Sequence, residues 1–179
     1  ANTTGSCNVA IGRQALTLNT SGSYNTAIGT DSLKSNTTGV KNVSMGTYSL
    51  NANTVGTQNI AIGYDALTSN TTGFNNTSIG ACSLSTNTTG TDNTAVGTYS
   101  LNVNTVGGQN TALGRSALGA NTTGSYNVAV GGYSLKTNTT GIENTAIGKS
   151  ALQSNTIGVS NIAIGNNSLY SNTTGNHNS

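Results

Sequence analysis

The sequence predicts an all-β fold, a parallel β-solenoid built from 17-residue coils. Three observations carry this. Glycine recurs from Gly5 through Gly22 and Gly39 to Gly175 at a constant step of 17, and a second series runs from Gly12 to Gly165 at the same step. Position by position, the copies hold fixed and free columns. The period itself is too short for paired-helix repeats of about 33 to 47 residues, and a unit rich in Gly, Asn and Thr is a poor helix former.

The unit reads N-T-[TSVI]-G-x-x-N-[TVI]-[AS]-[IVLM]-G-x-x-[SA]-L-x-x. Ten full copies occupy residues 2–171 and a partial copy occupies 172–179, so 1–179 reads as a single array. Both ends fall in mid-repeat, and the expectation is a fragment of a longer fibre. Columns one and seven are always Asn, column two is always Thr, and columns four and eleven are always Gly. Column nine is only Ala or Ser. All ten charged residues and all seven Tyr fall in columns six, twelve, thirteen and sixteen. Fixed columns are expected to face inward or make turns, and free columns to face solvent.

Columns eight to ten alternate sides, as in Thr26-Ala27-Ile28, and are expected to form a strand. The segment around column fifteen is expected to form a second, weaker strand. Stacked in register at about 4.8 Å per coil, ten coils make a rod of roughly 48 Å. The expected core ladder joins the invariant leucines (Leu16, Leu33, Leu50, Leu67, Leu84, Leu101, Leu118, Leu135, Leu152 and Leu169) to the aliphatic column ten (Ile11, Ile28, Ile62, Ile79, Ile147 and Ile164). The column-seven residues Asn8, Asn25, Asn42, Asn59, Asn76, Asn93, Asn110, Asn127, Asn144 and Asn161 are expected to stack as an amide ladder. Thr files are expected to satisfy their hydroxyls along the stack. The small residues of column nine would let another backbone approach, which makes that column the expected subunit contact.

Leu, Ile, Val and Phe together make up 33 of 179 residues. Each coil therefore has two or three aliphatic side chains, worth roughly 1.5–3 kcal/mol apiece on burial. Ordering 17 residues costs on the order of 1–2 kcal/mol each. Ladder hydrogen bonds close part of that gap, and burial between chains would close more. A homo-oligomer is the expectation, with a trimer as its expected form.

Composition narrows the function classes. Six basic and four acidic residues give a net charge of +2, and the basic ones are scattered, which argues against a nucleic-acid partner. No run of about 20 apolar residues exists, so no membrane insertion is expected. No catalytic site, cofactor or metal is expected. Asp31 and Asp65 share column thirteen two coils apart, about 10 Å, near the carboxyl spacing of inverting glycosidases. They read as solvated surface carboxylates. His177 has no Cys, Asp or Glu near it in sequence, and the nonapeptide aspartates of calcium-binding β-rolls are missing. Cys7 and Cys82 lie four coils apart, beyond disulfide reach within one chain. Asn-x-Ser/Thr sequons occur at Asn36, Asn70 and Asn121, but Val55 and Ile157 break the pattern after Asn53 and Asn155, so the column wants Asn for structure.

The NTAIG, NVAIG and NIAIG segments resemble the S/N-V-A-I-G motif of trimeric autotransporter adhesin heads. The whole unit, as in Asn25-Thr26-Ala27-Ile28-Gly29 followed by Ser32-Leu33 and Asn36-Thr37-Thr38-Gly39, resembles repeats of phage and viral tail fibres. The resemblance spans the entire chain. It implies a left-handed parallel β-roll packed as a trimer, located outside the cell, on its surface or on a virion. The period of 17 exceeds the roughly 14 of adhesin heads, so the coil must be wider or carry a longer corner. The function expected is that of a fibre shaft, giving reach, rigidity and protease resistance. One alternative is an adhesin head that binds a cell-surface matrix or glycan receptor through the variable columns, with Tyr48, Tyr99 and Tyr133 as the adhesive edge. A second is an ice-binding solenoid using the Thr ladders.

Overall fold

A computed structural model describes residues 2–179; Ala1, read as the last position of a preceding copy, lies outside the described residues. The chain is a β-solenoid of about nine turns, and no helix occurs among the described residues. Each coil contributes one three-residue strand from columns eight to ten. The strands are β1 (Val9–Ile11), β2 (Thr26–Ile28), β3 (Val43–Met45), β4 (Ile60–Ile62), β5 (Thr77–Ile79), β6 (Thr94–Val96), β7 (Thr111–Leu113), β8 (Val128–Val130), β9 (Thr145–Ile147) and β10 (Ile162–Ile164). They form one parallel sheet in chain order. Register never slips: Ala61 of β4 pairs Ser78 of β5, one period on.

Backbone bonding continues around the coil beyond the strand. In the fifth coil, Thr77 N–H donates to Asn93 (2.8 Å) and Leu84 N–H to Ser100 (3.0 Å) in the following coil. In the other direction, Asn75 donates to Thr57 (3.1 Å), Gly80 to Ile62 (2.8 Å) and Cys82 to Tyr64 (2.9 Å). Each coil is thus fastened to both neighbours at several points of its perimeter, which answers the obligation of every buried amide to find a partner.

The expected second strand around the leucine does not form; that segment is a turn. Columns thirteen and fifteen both adopt left-handed backbone, as in Cys82 (φ 55°) and Leu84 (φ 48°), and this breaks the extended alternation a strand needs. The turn swings each leucine inward. Leu33, Leu50, Leu67, Leu84, Leu101, Leu118, Leu135 and Leu152 are fully buried and stack into one file; Leu16 is buried and Leu169, at the open end, is half-buried.

Column ten corrects the expected core. Ile11, Ile79, Ile147 and Ile164 are 58%, 37%, 39% and 67% exposed, and Ile28 and Ile62 are half-buried. They point out of the coil. Column nine, expected as an outer subunit contact, points in: Ala27, Ser44, Ala61, Ser78 and Ala95 have no exposed surface. The reason is width. Leucine, two asparagines and the small column-fourteen residue already fill the cross-section, so only Ala or Ser fits opposite them.

The left-handed leucine explains its own invariance. That backbone is costly for any L-residue and worst for a side chain branched at Cβ, so Ile or Val cannot substitute although both are apolar. Leu84→Met, which keeps volume and an unbranched Cβ, is expected to cost less than about 1.5 kcal/mol. Leu84→Val is expected to cost more than about 2 kcal/mol, beyond the roughly 0.5–1.5 kcal/mol of an ordinary one-methylene deletion. Thermal unfolding followed by circular dichroism checks this; equal losses would show that the left-handed turn sets no preference.

Candidate functional site

The interior is organised around two asparagine ladders that meet at one carbonyl. In column one, Asn36 donates through Nδ2 to Oδ1 of Asn19 (2.8 Å), and Asn53 donates likewise to Asn36 (2.9 Å). The same Nδ2 donates to the glycine carbonyl three residues on, as from Asn36 to Gly39 (3.0 Å). In column seven, Asn42 donates its backbone N–H (3.0 Å) and Nδ2 (3.2 Å) to Oδ1 of Asn25. Asn25 in turn donates from Nδ2 to Gly39 (2.9 Å). Gly39 therefore accepts from Asn25 and Asn36 together, and Gly73 accepts from Asn59 (2.8 Å) and Asn70 (3.0 Å). Both lone pairs of the column-four carbonyl are used in coil after coil.

This junction dictates the two glycine columns. A Cβ on Gly39 would collide with Oδ1 of Asn36 and the carbonyl of Gly56. Column four needs Gly for space alone. Column eleven needs it twice over: Gly80 has φ of 129°, and a Cβ there would lie 2.8 Å from the carbonyl carbon of Gly97.

Other polar columns are engaged by the stack. Thr105 donates its hydroxyl to the carbonyl of Thr122 in the next coil (3.1 Å), and its column mates do the same. Column-two hydroxyls are thus held by backbone carbonyls rather than by one another. The sequon residues Asn36, Asn70 and Asn121 are fully buried with Nδ2 committed to the ladder. One pairing escaped the sequence reading. Serine appears in column nine only at Ser44 and Ser78, and both coils also carry serine in column fourteen. Ser44 and Ser49 lie 2.6 Å apart, as do Ser78 and Ser83. The columns carried little signal, since column fourteen is also serine at Ser32, Ser100, Ser134 and Ser168 opposite alanine; the pairing matters because a lone buried hydroxyl would cost about 1–3 kcal/mol.

The variable columns form the outer edges. Asp31 is buried, with Arg13 Nη2 at 3.7 Å and Lys34 Nζ at 3.5 Å. The structure thus gives Asp31 a buried ion-paired setting instead of the solvated one expected. Tyr48 meets Tyr64 edge to face at 6.2 Å. The neighbouring Asp65 carboxylate raises the Tyr64 phenol above its ordinary value. Burial, then Asp65, raises the Cys82 thiol. Cys7 and Cys82 are both free thiols. Tyr99 and Tyr133 stand two coils apart on the same edge as Tyr48, so the structure does not gather the three into one cluster. No group of three or more His, Cys, Asp or Glu placed to hold a metal occurs among the described residues. No helix among them is long and apolar enough to cross a membrane.

Comparison with protein-family models, curated proteins and solved structures gives no match.

The ladder makes a sharp demand on Asn87, whose Nδ2 donates to Asn70 (3.0 Å) and to Gly90 (3.1 Å). Asn87→Asp sets a carboxylate against two acceptors and is expected to cost about 3–5 kcal/mol at neutral pH. Gln109→Glu, which adds the same charge at an exposed edge, is expected to stay within about 0.5 kcal/mol. Urea unfolding of the two variants compares them directly, and equal effects would mean the ladder carries no stability.

Proposed function

We propose that this chain is a structural shaft segment of a fibre that works outside the cell, on its surface or on a virion, and that it assembles with copies of itself. The observation that carries this reading is the outward face of the sheet. Columns eight and ten leave an unbroken strip of Val, Ile, Leu, Met and Thr along all ten strands, including Val9, Ile60, Leu113 and Ile162, each more than a third exposed. The strip offers on the order of 1,000 Å² of accessible surface per copy, above the few hundred Å² of an ordinary exposed patch and above the about 800 Å² per partner of a standard interface. A second copy is the occupant that matches it, because the strip has the same spacing in every copy and no charge to mismatch. Cover of this kind supplies the apolar burial that each thin coil lacks on its own. The trimer number and left hand come from the resemblance to fibre and adhesin repeats, and the mechanism is mechanical: identical coils give reach and stiffness, and bonded perimeters leave little backbone for a protease.

The adhesin-head alternative rests on the variable edges rather than on this strip. The ice-binding alternative draws little support from column two, whose hydroxyls already bond carbonyls.

The test is sedimentation of the chain and of the double variant Ile62→Lys/Ile79→Lys. The wild-type chain is expected to be oligomeric at micromolar concentration. The variant is expected to keep its β circular-dichroism spectrum and sediment as a monomer. A monomeric wild type, or an oligomer that tolerates both lysines, would overturn the reading.

A further inference from the structure

The ten charges are not evenly placed. Beyond Asp65, the edge formed by columns twelve, thirteen and sixteen holds three cations, Arg115, Lys136 and Lys149, and no acid. They fall in three consecutive coils, and all three are exposed. The acids of this half, Asp92 and Glu143, lie in column six. There Asp92 accepts from Asn75 (3.0 Å) and Glu143 from Ser160 (2.9 Å). None of the three cations pairs with a carboxylate among the described residues. Instead Arg115 and Lys136 sit over the ring of Tyr133, at 5.7 and 5.3 Å from its centroid.

Tyr133, covered by those two cations, belongs to the coil between two hollows and lines neither of them. Column thirteen reads Tyr99, Ser116, Tyr133, Ser150 in successive coils, and each serine lines one of the hollows. The first hollow, about 250 Å³, is lined by Tyr99, Ser116, Gly119, Lys136 and Thr137. The second, about 480 Å³, is lined by Lys149, Ser150, Gln153 and Tyr170. Both hold a tyrosine, a column-thirteen serine and a lysine, drawn from different columns: Tyr99 and Lys136 come from columns thirteen and sixteen, Tyr170 and Lys149 from columns sixteen and twelve. Their serines are two coil steps apart, about 10 Å. Both are open grooves.

We infer that this edge binds a linear acidic polysaccharide, one sugar ring entering the hollow at Ser116 and the ring two residues along entering the hollow at Ser150, with Arg115, Lys136 and Lys149 pairing its carboxylates or sulfates. The chemistry matches on each count. A tyrosine offers a flat apolar face with a polar rim, the shape a pyranose presents. Hydroxyl and amide groups line the floor. The two-coil spacing is the span of a disaccharide. Three cations answer a polymer with one charge per sugar or per disaccharide. A nucleic acid needs a longer basic footprint than three residues on a chain of net charge +2. The edge lies off the aliphatic face, so the inference goes beyond the shaft reading and stands without it.

The test is binding of the intact chain to two acidic octasaccharides, heparin-derived and oligogalacturonate. A neutral cello-oligosaccharide and a thymidine dodecamer serve as comparisons. At least one acidic sugar is expected to bind, the neutral sugar at least about tenfold more weakly, and the dodecamer more weakly than the better acidic sugar. Ser116→Tyr/Ser150→Tyr fills both hollows without changing charge, and tyrosine already occupies this backbone position at Tyr99 and Tyr133. It is expected to weaken binding about fivefold or more. Lys136→Gln/Lys149→Gln is expected to weaken it about tenfold or more, whereas Lys34→Gln/Lys41→Gln, with the same loss of charge, is expected to leave it within about twofold. Absence of binding by the wild type would overturn the inference. So would full binding by the filled variant, equal effects of the two lysine pairs, or a preference for the dodecamer or the neutral sugar.

Discussion

Everything in this molecule depends on the carbonyl of the column-four glycine. It receives an amide proton from each of two asparagine ladders, as Gly39 does from Asn25 and Asn36. An asparagine buried without partners would cost more than its packing returns, and here each interior amide bonds both to a glycine carbonyl and to the asparagine of the adjacent coil. Because the partners sit in different coils, no coil completes its own hydrogen bonding. The period of 17 is fixed for the same reason: an inserted residue would throw both ladders out of line at once. Ladders of identical amides also polarise one another along the stack, which strengthens each bond.

The polar interior sets the rest of the architecture. Two asparagines leave room for one large apolar residue per coil, and the turn that delivers it inward is left-handed at the leucine. The opposite wall must then be Ala or Ser. The larger aliphatics are left on the outside of the sheet, where a lone chain gains little from them. A fold that stabilises its inside with amides thus presents its hydrophobic surface outward, and the proposed self-association rests on that surface.

Much of this was legible in the columns. Period, parallel register, the three-residue strand and stacked asparagines all follow from identity at a step of 17. The facing of the strand did not. Alternation assigns columns eight and ten to one side and nine to the other, but not which side is inside. Hydrophobicity favoured Ile11, Ile28, Ile62, Ile79, Ile147 and Ile164 as core, and that is the wrong side. The better guide was size. Column nine admits only Ala and Ser in ten copies, whereas column ten tolerates Val, Leu, Ile and Met, and tolerance of volume marks a surface. The left-handed leucine was also hidden, because propensity reserves that backbone for Gly and Asn. Its trace was the absence of Ile and Val from an otherwise apolar column. The basic edge was obscured by counting charges along the chain, since Arg115, Lys136 and Lys149 are scattered in sequence and adjacent only in the stack.

Side-chain amide hydrogen exchange, resolved by nuclear magnetic resonance, tests the central claim most directly. If the ladders hold the coils together, the Nδ2 protons of interior asparagines such as Asn76 and Asn87 exchange as slowly as the backbone amides of β5 and β6, while those of the exposed Asn166 exchange freely. Rapid exchange of the interior side-chain amides beside protected strands would contradict it, placing the stability of the stack in its backbone alone.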